Sequence, residues 1–107
     1  MEFEKLINRL KNIAFQEIRV QSADYFEAVV VKEKLSELGM NLSGVFGSPV
    51  WPGSGSLPKE ASKVIDEFGG IRDNQTLYYF RENEAVFFTM LWPWNDGERV
   101  TLKVGQK

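Results

Sequence analysis

Apolar residues recur along this chain with two different periods. Phe3, Leu6, Ile7, Leu10 and Ile13 fall at three- and four-residue intervals, with Glu2, Lys5, Asn8, Arg9 and Asn12 between them. One face of a 3.6-residue helix collects that set, so the spacing predicts a helix over 2–14 packed on a core. Its polar face mixes charges, whereas membrane-surface helices concentrate Lys and Arg there. Residues 15–20 alternate instead, with Phe15, Glu17 and Arg19 on one side and Gln16, Ile18 and Val20 on the other. Period two predicts a short strand.

The next stretch admits two readings. Ser22 suits an N-cap, Asp24 and Glu27 suit a first helical turn, and Gly39 suits a C-terminal stop. Ala28, Val31, Leu35 and Leu38 supply a stripe, so a helix over 23–38 is expected. The β-branched triplet Val29-Val30-Val31 favours a strand, and a hairpin of 15–20 with 25–31 is the competing reading. The cap signals at both ends favour the helix. Residues 42–46 are short, apolar and Gly-flanked, which suggests a second strand and hence a right-handed parallel crossover. A run rich in turn formers follows over 47–56. Ser56 then caps a third helix, with Pro58 in its first turn, Ala61, Val64, Ile65 and Phe68 on its apolar face, and Gly69-Gly70 at its end.

The last third carries half of the chain's aromatic residues. It reads as three antiparallel strands over 76–81, 85–92 and 98–104, turning at Asn83-Glu84 and at Asp96-Gly97. A one-residue slip inverts every side chain, so register decides the faces. Two-residue turns set Phe80 against Phe87 and Leu91 against Leu102. Tyr78, Phe80, Phe87, Leu91, Val100, Leu102 and Val104 then share one face. Leu77, Tyr79, Phe88, Met90, Trp92 and Trp94 share the other, bordered by Arg81, Arg99, Thr101 and Lys103. A three-residue turn with Gly97 as a bulge moves Val86, Phe88, Met90 and Trp92 to the first face. Either register leaves a second face with large aromatics, which a helix, a second subunit or a ligand must cover. Pro93 donates no ladder hydrogen bond, which places the Trp92-Pro93-Trp94 corner at an edge or bulge.

The expected fold is therefore α+β, one domain over 1–107. Its order is helix, strand, helix, strand, helix, followed by a three-stranded antiparallel meander, with the helices packed on the sheet.

Composition narrows the chemistry. The 107 residues contain no cysteine and no histidine. That removes disulfides, thiolate and imidazole metal sites, and Ser-His or Cys-His catalysis. The lack of cysteine fits a reducing compartment. The start, Met-Glu-Phe-Glu-Lys, lacks the basic and apolar regions of an export signal, and no apolar run approaches a membrane span. A cytoplasmic location without membrane contact is expected. A net charge of −2 supplies no global field for nucleic acid. The Gly/Ser-rich run 53–59 lacks the Gly-Lys-Ser/Thr ending of a phosphate loop, and Pro58 lacks an N–H. Asp66, Glu67, Asp73, Glu82 and Glu84 lie at helix ends and turns, where carboxylates are normally solvated. No cofactor and no metal are expected.

The candidate binding residues are Trp51, Tyr79, Arg81, Phe88, Trp92, Trp94, Arg99 and Lys103. Trp, Tyr and Arg are the usual anchors of protein interfaces, so the expected function is a small non-enzymatic interaction module that self-associates through its aromatic sheet face. The alternative is a single-stranded nucleic-acid binder. Tyr79, Phe88, Trp92 and Trp94 would stack on bases, and Arg81, Arg99 and Lys103 would meet phosphates. The acidic balance weighs against it.

Overall fold

A computed structural model describes residues 2–52 and 59–107. Helix α1 (Phe3–Leu10) leads into strands β1 (Glu17–Gln21) and β2 (Tyr25–Val31). A 3-10 turn at Lys32–Lys34 opens helix α2 (Leu35–Phe46). Helix α3 (Lys59–Asp66) precedes strands β3 (Thr76–Glu82), β4 (Ala85–Pro93) and β5 (Arg99–Gln106). The five strands form one antiparallel sheet in the order β1-β2-β5-β4-β3. Ser56, Pro58 and the anion-loop stretch at 53–58 lie outside the described residues.

The expected helix–strand–helix–strand–helix order is corrected here, and so is the sheet, which has five strands rather than the three of the meander. Residues 25–31, read as helix, form β2. Residues 42–46, read as strand, belong to α2, and the parallel crossover gives way to an antiparallel hairpin of β1 and β2. Residue types that cap helices also make turns. Ser22 serves the turn: its N–H donates to the Tyr25 carbonyl at 2.8 Å, and its hydroxyl reaches the same oxygen at 3.2 Å. With the turn closed there, Val29-Val30-Val31 follows its β preference. The helical stripe starts later, at Leu35, and runs through Leu38 and Leu42 to Phe46. Gly39 does not stop it. The helix ends at Gly47, whose φ of 79° suits only a residue without Cβ.

The meander follows its two-residue-turn register. Phe80 pairs with Phe87 and Leu91 with Leu102. Strand β5 then reaches back to pair with β2, Phe26 with Val104 and Ala28 with Leu102, which puts β5 at the centre.

Alternation along these strands produces two buried layers. On one face, Phe26, Ala28, Val30, Tyr78, Phe87, Leu102 and Val104 meet Phe3, Leu6, Ile7 and Leu10 of α1 and Leu38, Leu42 and Phe46 of α2. On the other, Leu77, Phe88 and Met90 meet Ile65 of α3, with Trp51, Val64, Phe68, Ile71, Tyr79 and Trp92 around them. Each fully buried Phe or Leu contributes about 1.5–3 kcal/mol, which is why both faces carry helices rather than water. No helix among the described residues is long and apolar enough to cross a membrane.

The two edges of the sheet differ. Beside β3, Val50 and Leu77 share a backbone hydrogen bond of 2.8 Å, and Leu77 donates to the Trp51 carbonyl at 2.9 Å. Strand β1, at the other end, is exposed along all five residues.

Candidate functional site

The candidate residues sit on the α3 side of the sheet, and α3 divides them. Over β3 and β4 the helix and the turn after it make a lid. Phe88 is fully buried, its ring 4.7 Å from that of Phe68. Phe68 also stacks on Tyr25 at 5.3 Å, carrying the lid across to β2. Trp51 is half-buried, and its indole N–H donates to the Arg72 carbonyl at 3.1 Å. Tyr79 is half-buried too, with a hydroxyl that finds no acceptor among the described residues. Burial pushes its pKa up. Arg81 is exposed, ion-paired with Glu60 of α3, and donates from Nε to the Asn83 carbonyl at 3.1 Å.

Trp92 lies at the rim of that lid. The Lys103 ammonium sits 3.4 Å from its ring centroid and donates to the Phe68 carbonyl at 3.0 Å. Removal from water lowers the Lys103 pKa, and Glu27, opposite it on β2, pulls the other way. Gly69 passes so close to the indole that a Cβ there would overlap the ring.

Trp94 lies beyond the rim, and its corner is built by Asp96. One carboxylate oxygen accepts the N–H groups of Glu98 and Arg99 at 2.9 and 3.1 Å, and the other takes the Arg99 Nε at 2.7 Å. The Glu98 backbone bond and then the Arg99 side chain hold the Asp96 carboxyl below its ordinary range. So braced, the Arg99 guanidinium lies 4.4 Å from the Trp94 ring centroid, a cation–π distance. The indole N–H of Trp94 donates to Thr101 Oγ1 at 2.8 Å.

Strand β1 supplies what the sequence reasoning missed. Its register shifts between Ile18 and Val20, and the bulged residue, Arg19, reaches to 5.4 Å from the Trp94 ring. Arg19 Nε also meets Glu17 at 3.2 Å. Gln16, Glu17, Val29, Trp94 and Arg99 line an open groove of about 320 Å³. Ile18 and Val20 remain 48% and 41% exposed. Alternation in 15–20 was visible, but nothing local says that this strand would end the sheet.

The eight candidates therefore do not form one surface. Trp51, Tyr79, Phe88 and Trp92 pack in and around the α3 layer, whereas Trp94 and Arg99 face the open flank beside Arg19. The charges among them are engaged internally: Arg81 with Glu60, Arg99 with Asp96, Lys103 with Phe68 and Trp92. Comparison with family models, curated proteins and solved structures finds no match to this chain.

Proposed function

We propose that this protein is a non-enzymatic interaction module of the cytoplasm that binds another protein along the open flank of its sheet. The contact surface is β1 with the Trp94–Arg99 corner beside it. The observation that carries this reading is the exposure of Ile18 and Val20 on a terminal strand that is solvent-accessible along its whole length. Single exposed aliphatics are ordinary. Two of them on an edge are different, because an edge strand also offers backbone N–H and C=O groups for strand addition. The lack of histidine and cysteine supports binding over catalysis, and the lack of cysteine fits a reducing compartment.

The internal engagement of the aromatic and basic residues favours a protein partner over nucleic acid. Stacked bases need free π faces, and the Trp92 and Trp94 rings lie under Lys103, Arg99 and Arg19.

A photo-crosslinking side chain in place of Val20 tests the proposal in cells, with the same label in place of Met40 as control. Met40 is 74% exposed on α2, on the other side of the sheet. A discrete crosslinked product from position 20, absent from position 40, is expected. No product, or the same products from both positions, refutes the reading.

A further inference from the structure

We infer that the partner on this flank is a second copy of the chain, its β1 paired antiparallel with β1 about a two-fold axis at Ile18. This rests on the interaction reading above and adds the occupant and the register. The argument is charge complementarity within Gln16-Glu17-Ile18-Arg19-Val20. In an antiparallel pair centred on Ile18, Glu17 lies opposite the partner's Arg19, and Arg19 opposite the partner's Glu17. Ile18 meets the partner's Ile18, and the bulge at Arg19, which turns Val20 to the other face, limits the regular pairing to Glu17–Arg19. Directly opposed residues are the ones that interact across strands, favourably for opposite charges and unfavourably for like ones.

Neighbouring registers fail that criterion. A centre at Arg19 sets two guanidiniums face to face, and a centre at Glu17 does the same with two carboxylates. Charged residues and bulges are the devices that protect a sheet edge from unrelated strands. Here the same two charges select one pairing among the alternatives.

The geometry allows the approach. All five residues of β1 are exposed, and the segment Glu17–Arg19 that carries the pairing lies away from the cavity that α1 forms with Gln21. Glu17 and Arg19 already form a pair within one chain at 3.2 Å. Pairing two edges brings both pairs together as an alternating group of four charges. The contact is isologous and closes on itself, giving a continuous ten-stranded sheet in a dimer rather than a fibre. A five-residue edge buries less than a standard interface of roughly 1,600 Å², so the association is weak and concentration-dependent.

Sedimentation velocity on the purified full chain, over roughly 5–500 μM to bracket a micromolar affinity, reads this directly. The 12.3 kDa chain is expected to shift toward twice its mass as concentration rises. Arg19→Glu, Glu17→Arg and Ile18→Lys each place like charges opposite one another and are expected to hold the protein at monomer mass. The double variant Glu17→Arg with Arg19→Glu restores opposed charges and is expected to restore the dimer. A wild type that stays monomeric throughout overturns the inference, as do single variants that dimerise like wild type or a double variant that does not recover. If the purified chain is monomeric while position 20 crosslinks to a different protein in cells, the second copy is excluded and the interaction reading stands. If crosslinking also fails, both fall.

Discussion

At the scale of single residues, the α3 side of the sheet is organised by close approach. Gly69 has a φ of 106°, and a Cβ on it would run into the Trp92 ring. Both facts require glycine: an L side chain resists that φ, and the indole is pinned by Lys103 above it and the α3 layer beside it. Gly69→Ala is expected to lower the unfolding free energy by about 2 kcal/mol, combining backbone strain with overpacking. Urea denaturation checks the loss, and Trp fluorescence would report a displaced Trp92. An unchanged midpoint would show that the turn after α3 gives way freely. The sequence pattern runs the third helix to Gly69-Gly70; the helix ends at Asp66 and Gly69 lies in the turn that follows, where its close partner Trp92 comes from another strand and has no local signature.

At the scale of elements, α2 shows how a helix overrides an internal stop signal. Gly39 lies between Leu38 and Leu42, both fully buried, and the helix continues because that stripe must reach the sheet. Glycine in a helix interior is unfavourable by about 1 kcal/mol relative to alanine. Nothing lies within 4 Å of a Cβ added at Gly39. Gly39→Ala is therefore expected to stabilise the protein by about 0.5–1 kcal/mol, seen as a higher denaturant midpoint with an unchanged slope. A loss instead would mean that position 39 needs a non-helical backbone. Gly39 signals a helix stop only when taken without its neighbours. Followed past the glycine, Leu35, Leu38, Leu42 and Phe46 continue at helical intervals.

At the scale of the whole molecule, the order β1-β2-β5-β4-β3 predicts a gradient of local stability. Strand β5 is paired on both sides and covered by helical layers on both faces, whereas β1 is paired on one side and exposed throughout. Local opening free energies follow burial and backbone pairing. Hydrogen exchange at low protein concentration is expected to be slowest in β5 and fastest in β1. Comparable protection in the two strands would contradict the edge position of β1, on which the proposed docking rests. Of the candidate site, the residue types and the strands β3–β5 that carry them were legible, because Asn83-Glu84 and Asp96-Gly97 mark the turns; the faces were not, because two- and three-residue turns at Asp96-Gly97 give opposite registers and only the paired strands choose between them. The division into a covered half and an open half was not legible either, because it depends on where α3 and β1 come to rest.

From its amino-acid pattern alone this chain specified α1 and the three strands of the terminal meander with their two turns, while the register that pairs Phe80 with Phe87 and Leu91 with Leu102 was settled only in the fold. The helix, strands and turns rest on neighbours three to twelve residues apart, where periodicity and turn chemistry act directly. Tertiary structure decided the fate of residues 23–46. At Ser22–Val31 cap and turn signals coincide, and the choice went to strand because β5, some seventy residues onward, pairs with β2 and places Phe26, Ala28 and Val30 in one buried face, while the stripe from Leu35 to Phe46 went to helix. It also decided which strand ends the sheet, since an edge is defined only by the absence of a neighbour once all the other strands have paired.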